Sequence, residues 1–501
     1  MESFGSESGW QDRLILGDSK YVLSGLLPEH GGKVNLVYLD PPFATGADFS
    51  VQGQKAYRDT WRGGFDSYLQ WLSDTLVLLR EMLATDGSLY LHLDANAAHY
   101  AKVLLDEVFG PGSFQREIIW RIGWVSGYKA AAANWIRNHD TLLFYVKDPR
   151  CFTFNKEYLP YPDGYVRRDG RAPTGKGFPL DDVWNASESD RLDSIQIKSF
   201  SGEKVGYPTQ KNEALLARII NASSNPGDLV LDCCCGSGTT PAVASKLGRR
   251  FIAADLGRLA IHTTRKRLLA LPDPKPFVVQ SLGRHEHKAW RESTFATIDD
   301  YRRFLLKLAG AALKGGRTVQ IAAPDTPVTR AEVQALAAGG AAVDVLAWEF
   351  EPGLEDCSER IRLRLIPREV MEAAAVEQGD VKPADFRELG SMAASVVARG
   401  RKLLVSLTGF GARDARTDDA RPARPDAPDW SVSIDSWAID WNQRGAIFRP
   451  GWHAARARQD GALTLAAESP PYAEAGSYIV AVKVIDICLT ETVRRFAVEV
   501  E

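Results

Sequence analysis

DLVLDCCCGSGTTPAVASKLG, residues Asp228–Gly248, carries a short apolar strand into a glycine-bearing turn and then into a helical segment. Glycine lets a ligand approach the backbone closely, and the first turn of a helix presents N–H groups that have no intrahelical partner. The next strand-like run, RFIAAD, ends in Asp255 about twenty residues further on, where a carboxylate hydrogen-bonds the ribose of an adenosine cofactor. No Gly-Lys-Ser/Thr follows the turn, which excludes a phosphate P-loop, and Gly236 and Gly238 alone do not make the GxGxxG of a nicotinamide dinucleotide site. S-adenosylmethionine, which carries adenosine without phosphate, fits best.

Outward from that turn, VNLVYLD, SLYLHLD, TLLFYV, DLVLD and RFIAAD are strands by length and by β-branched or aromatic content. They alternate with helical patterns, such as the spacing of Tyr68, Leu69, Trp71, Leu72, Leu76, Leu79 and Met82, which predicts an α/β fold with a mostly parallel, Rossmann-like sheet up to about Leu282. VNLVYLD runs into Asp40-Pro41-Pro42-Phe43. A carboxylate at a strand's carboxyl end sits over the cofactor crevice, and two prolines hold an extended, rigid turn. An exocyclic base amine is a poor nucleophile because its lone pair is delocalised into the ring. If Asp40 and the Pro41 carbonyl accept its two hydrogens, the lone pair is drawn out of conjugation, and Phe43 can stack on a base that has left the duplex.

The composition bounds the partners. The 501 residues are 45% hydrophobic and 25% charged, values of an ordinary multidomain globular chain. A formal net charge of -3 excludes a wholly basic nucleic-acid coat but allows a local basic groove. No apolar run approaches the roughly 18 residues that cross a bilayer, and no basic-then-apolar leader opens the chain, so no membrane partner and a cytoplasmic location are expected. Cys233-Cys234-Cys235 lack the spacer of a zinc knuckle; no metal is expected, and none is needed for transfer from a sulfonium.

Between 151 and 206 the pattern loosens into Pro, Gly and aromatic residues, with Arg167, Arg168, Arg171 and Lys176 beside Tyr161, Tyr165 and Phe178. Residues 286–410 read as a second α/β region without visible chemistry, 411–430 as an Asp/Arg/Ala/Pro-rich linker, and 431–501 as a small antiparallel β module.

DPPF, DCCCGSGTT and YPTQKNEALLARIINASSNPGD together resemble the amino-methylating DNA methyltransferases of the bacterial β arrangement, in which the catalytic block precedes a target-recognition insert and then the cofactor block. LILGDS, DPPFATGADF, LLREMLATDGSLYLHLD and LLDEVFG further resemble type III modification subunits; the likeness spans about residues 10–280. It implies a methyltransferase domain over 1–285 with its insert at 151–206, double-stranded DNA as substrate, and Asp40, Pro41, Pro42 and Phe43 as the catalytic block. It further implies Asp232, Gly236, Ser237, Gly238 and Thr239 as the cofactor loop, Asp255 as the ribose acid, Thr209, Gln210 and Lys211 at the cofactor's methionine end, and Asp18 near the same pocket. The family commonly has Pro-Phe where Cys233-Cys234 stand, and Pro in place of Asn212. Asp rather than Ser before Pro-Pro implies adenine N6 as acceptor, with cytosine N4 as the alternative within the family. A homodimer, or a restriction or defence complex assembled through the C-terminal regions, is the expected partnership.

Overall fold

The computed structural model describes all residues except 6–8, 52–53, 62, 122–132, 186–200, 311–316, 355–359, 369, 372–385, 412–428 and 457–460, so the expected linker lies almost wholly outside the described residues. The chain divides into two compact units, Ser6–Ser281 and Leu282–Glu501 with Met1–Gly5. The sequence reading ended the first domain at 285 and began it at residue 1. The division into compact units falls before the helix Gly283–Thr294, and Met1–Gly5 go with the second unit, where the Ser3 amide donates to the Phe448 carbonyl at 2.9 Å.

In Ser6–Ser281 one sheet runs, from edge to edge, Phe277–Ser281, Asp12–Leu16, Arg250–Asp255, Leu229–Asp232, Val34–Leu39, Leu83–Leu93, His139–Val146, Phe114–Arg121 and Val183–Trp184. The first six are mutually parallel, and His139–Val146 is antiparallel to both its neighbours. Leu229–Asp232 is buried along its whole length, as a strand covered on both faces must be, which is why its sequence is continuously apolar up to the aspartate. The helix Gly64–Met82 packs through Tyr68, Leu72, Thr75, Leu76, Leu79 and Met82, a stripe at three- and four-residue spacing. Helix starts are set locally: Asp18 accepts from the Lys20 amide at 2.9 Å, and Asn212 from the Leu215 amide at 2.9 Å.

The second unit begins as α/β. The parallel strands Thr318–Ile321, Val343–Ala347 and Ile361–Leu365 stand beside helices Ile298–Ala309 and Arg330–Ala338, each opened by a capping box. It ends as two antiparallel sheets around one core that includes Leu403, Val405, Ile434, Trp437, Val480 and Val482. The hairpin Ser391–Arg399/Lys402–Gly411 packs with these sheets, because its alternate residues Leu403, Val405 and Leu407 are buried in that shared core. Its partner strand is built largely of Ala, Ser and Val, too small to give a strong period-two signal. Among the described residues, no helix is long and apolar enough to cross a membrane.

Candidate active site

Five adjacent parallel strands end at the same edge of the first unit's sheet, and an aspartate follows or closes each: Asp18, Asp255, Asp232, Asp40 and Asp94. Register brings them level. Asp255 lies opposite Leu16, Asp232 opposite Ala253, Leu231 opposite Val37, and Leu39 opposite Leu91. The chain after Leu229–Asp232 turns toward one side of the sheet and the chain after Val34–Leu39 toward the other, so the crevice of a doubly wound fold opens between Asp232 and Asp40.

On the Asp40 side, Lys211 Nζ donates to Asp40 Oδ2 at 2.6 Å and lies 5.2 Å from the centre of the Phe43 ring. Asp40 Oδ1 is buried and has no hydrogen-bond partner among the described residues. The turn that follows is held by Asp59, whose carboxylate accepts from the Ala44 amide, the Thr45 amide and the Thr45 hydroxyl at 2.8, 2.8 and 2.6 Å. That bracing keeps Ala44 at φ 56°, a left-handed conformation that a side chain disfavours.

On the other side, the loop from Cys233 to Thr239 is tied down at every turn. Asp255 accepts from the Gly236 and Gly257 amides, each at 2.8 Å. Arg267 donates to Thr239 Oγ1 at 2.9 Å, and Thr239 in turn donates to the Lys211 carbonyl at 3.0 Å. The Ser237 hydroxyl is 3.1 Å from that of Thr239. Gln210 spans Val205 and Glu203, accepting from one backbone and donating to the other. Tyr207 lies against Gly236 so closely that a Cβ there would meet its ring at 3.3 Å. Burial, reinforced by the charges of Asp40 and Asp255, pushes the Asp232 carboxyl up to about 7. The Cys234 thiol is pushed well above its ordinary value by a hydrogen bond with the Cys233 thiol and by burial, and that of Cys235 by burial and nearby carboxylates, so neither is a ready nucleophile.

The structure thus brings Asp40, Phe43, Lys211, Asp232, Gly236, Ser237, Gly238, Thr239 and Asp255 to one edge of the sheet. Several of these residues, with Gln210 and Asp18, also hold the surrounding structure. Lys211 sits on Asp40, not apart from it; Gln210, Ser237 and Thr239 spend their side chains on holding loops; and Asp18 is a helix cap that leaves its carboxylate at the rim. Sequence reasoning missed Asp59, Tyr207, His92, Asp94 and Arg137. Only Asp94 carried a signal, as the carboxylate closing SLYLHLD just as Asp40 closes VNLVYLD.

A profile described as DNA methylase matches residues 34–266. The type II methyltransferase M.EcaI of Enterobacter cloacae is 30% identical over 336 residues, covering 52% of this chain and 72% of that protein. The chain belongs to the DNA methylase family. Further DNA methylases similar to it are the DNA adenine methyltransferase YhdJ of Escherichia coli (strain K12), at 28% identity over 53% of this chain and 84% of that one, and the type II methyltransferase M.HpaI of Haemophilus parainfluenzae, at 28% over 51% and 74%. A crystal structure of an M1.HpyAVI-SAM complex matches at 22% identity and a TM-score of 0.36, over 52% of this chain and 99% of that chain.

The methyl donor of this DNA methylase is S-adenosylmethionine. The crevice suits it electrostatically: the donor's sulfonium and ammonium outweigh its one carboxylate, and the edge it would face carries five aspartates against two cations, Lys211 on Asp40 and Arg137 on Asp94. Unpartnered buried atoms are also present for a ligand to satisfy, namely Asp40 Oδ1, Trp61 Nε1 and Tyr68 Oη.

Proposed function

We propose that the protein methylates N6 of adenine in duplex DNA, acting on a base turned out of the helix. One observation carries this reading: Asp40 presents a buried, unpartnered Oδ1 at the strand end beside the cofactor loop, while Lys211 holds its other oxygen. In this proposal Oδ1 and the Pro41 carbonyl accept the two amine hydrogens, Pro42 keeps the turn rigid, and Phe43 stacks on the base. When bound, S-adenosylmethionine supplies an activated methyl on a sulfonium. With that methyl in place, Asp40 Oδ1 would take up the proton that the amine nitrogen sheds on being methylated.

For the cofactor we assign the loop Asp232, Gly236, Ser237, Gly238 and Thr239, with Asp255 toward the ribose, Thr209, Gln210 and Lys211 closing the other end, and Asp18 at the rim. The Asp255 carboxylate is already oriented by the Gly236 and Gly257 amides. The insert at 151–206 would read the target. Its described residues support this with the turn Arg167–Arg171, where the Gly170 amide donates to the Arg167 carbonyl at 2.8 Å, beside the mutually packed rings of Tyr161, Tyr165 and Phe178. Its residues 186–200 lie outside the described residues. The likeness to type III modification subunits, and a second copy or restriction partner meeting residues 282–501, belong to the same proposal.

The deciding experiment is incubation of purified protein with labelled S-adenosylmethionine and mixed-sequence duplex DNA, followed by digestion to nucleosides. Label on N6-methyldeoxyadenosine is expected. Label on N4-methyldeoxycytidine would replace the acceptor, and no label despite cofactor binding would sink the stand-alone enzyme.

Cofactor binding should also depend on pH. Asp232, with its carboxyl pushed up to about 7, is protonated below that pH in the free protein, whereas a cation beside it favours the carboxylate. Binding then releases a proton, and affinity falls as pH drops through 7, by at most about tenfold per unit. Calorimetry at pH 6 and pH 8 tests this; equal affinities would show that Asp232 does not face the donor's charge.

A further inference from the structure

The residues assigned so far lie on the cofactor side of Asp40 or in the turn after it. On its other side the neighbouring strand Leu83–Leu93 carries His92, level with Asp40 because Leu39 pairs with Leu91. His92 is fully buried, and both ring nitrogens are engaged: Nδ1 shares a hydrogen bond with Tyr38 Oη at 2.8 Å, and Nε2 approaches Asp140 Oδ2 at 3.4 Å. These partners stand on the two strands that flank it, Val34–Leu39 and His139–Val146, so the imidazole plane is fixed from both sides. Trp120 meets the imidazole edge-on at 5.4 Å. The Phe43 ring lies 6.1 Å away, tilted by 38°.

Asp140 is in turn gripped from the rim. Arg137 reaches Asp94 at 2.9 Å and Asp140 at 3.6 Å, bridging two carboxylates that are cross-strand neighbours. Although burial opposes it, the bond from His92 and the nearby cations hold the Asp140 carboxyl below its usual range, so it remains an anion able to fix His92. An aliphatic side chain would fill the same space without calling for a buried tyrosine hydroxyl and a buried carboxylate. What the polar arrangement adds is a single orientation for the ring.

We propose that His92, locked by Tyr38 and Asp140, is a positioning residue that sets the ring plane of Phe43 and thereby the angle at which the acceptor base is presented. The inference rests on the methyl-transfer reading, since it takes Phe43 as the stacking ring. A displacement of about 1 Å at a reacting centre can cost on the order of a hundredfold in rate. Loss of the lock should therefore appear in kcat and leave cofactor affinity alone.

The test uses the full chain with unmethylated phage DNA and labelled S-adenosylmethionine, comparing His92→Gln, Tyr38→Phe, Asp140→Ala and Asp140→Asn with wild type. Asp140→Asn keeps an acceptor oxygen for Nε2 and should retain most activity. Asp140→Ala and His92→Gln should lose about 10- to 100-fold in kcat with the cofactor Kd within about twofold. A double-mutant cycle with Phe43→Ala should be strongly non-additive, because without Phe43 there is no ring left to position. Additive losses, or losses that track cofactor Kd or the melting temperature, would overturn the proposal. Crystal structures of wild type and His92→Gln give a readout independent of activity. A shifted Phe43 ring with a catalytically silent wild type retains the positioning role and sinks the methyl-transfer reading, whereas an unshifted ring beside an active wild type does the reverse.

Discussion

Asp40→Ala is expected to lower methyl transfer to DNA by about a thousandfold, in the range seen when a positioned acid–base group is removed, while the affinity for S-adenosylmethionine changes by less than about threefold. The separation of effects follows from where the side chain sits. Asp40 closes Val34–Leu39 and touches Lys211, whereas the loop Cys233–Thr239 is held by Asp255, Arg267 and Thr264 and does not depend on it. Truncation does strand Lys211 in a largely buried place, so some stability is lost, and Asp40→Asn serves as the control. It keeps an oxygen for Lys211 and should still lose a hundredfold or so, because a carboxamide is a weaker acceptor for a hydrogen leaving nitrogen. Methyl incorporation and calorimetry on the same preparations measure both quantities. Retention of a tenth of the activity in Asp40→Ala would remove Asp40 from the mechanism.

The second large effect lies on the other wall. A Cβ added at Gly238 would stand 2.5 Å from Thr264 Oγ1 and 2.7 Å from its Cγ2, and the residue has φ 73°. Thr264 cannot simply turn away, since its hydroxyl donates to the Gly236 carbonyl at 3.2 Å and so holds the loop. Overpacking and a left-handed alanine together cost about 2–4 kcal/mol, and the loop is the part free to give. Gly238→Ala should therefore weaken cofactor binding by thirtyfold or more and lower the melting temperature. Gly238→Ala with Thr264→Ala removes the two nearest atoms but leaves the residue 264 Cβ at 2.8 Å and the backbone penalty in place, and should recover only part of the loss. Wild-type affinity in Gly238→Ala would show that the cofactor does not need this loop conformation.

Sequence displayed the parts of this site that are carried by strand ends. Apolar runs of three or four residues ending at Asp40, Asp232 and Asp255 are visible because a buried parallel strand must be continuously apolar and its first polar residue marks the edge. Glycines 236 and 238 are visible for a related reason, as nothing else fits those backbones. Contacts between segments were not legible. Lys211 reaches across 171 residues to Asp40, and the Asp59 brace, the Tyr207 lid and the Tyr38–His92–Asp140 lock each depend on which strands become neighbours. A lysine in PTQK or a histidine in SLYLHLD has no period and no motif to announce its partner. The hairpin's place in the β core was hidden likewise, because Ser391–Arg399 spends small residues where a strand usually spends large ones.

The two walls of the crevice are neighbours in the sheet but lie about 190 residues apart in the chain, and this orders events at the ribosome. At roughly 5–20 residues per second, Asp40 waits some tens of seconds before Lys211 and the strand Leu229–Asp232 emerge to join it. Until then the strand Val34–Leu39 offers the nascent chain an open edge, which is a site for mispairing. The catalytic edge is therefore among the last places in this unit to be completed, and a chain released early, short of Asp232, would leave an unsealed sheet for the cell's quality control to recognise.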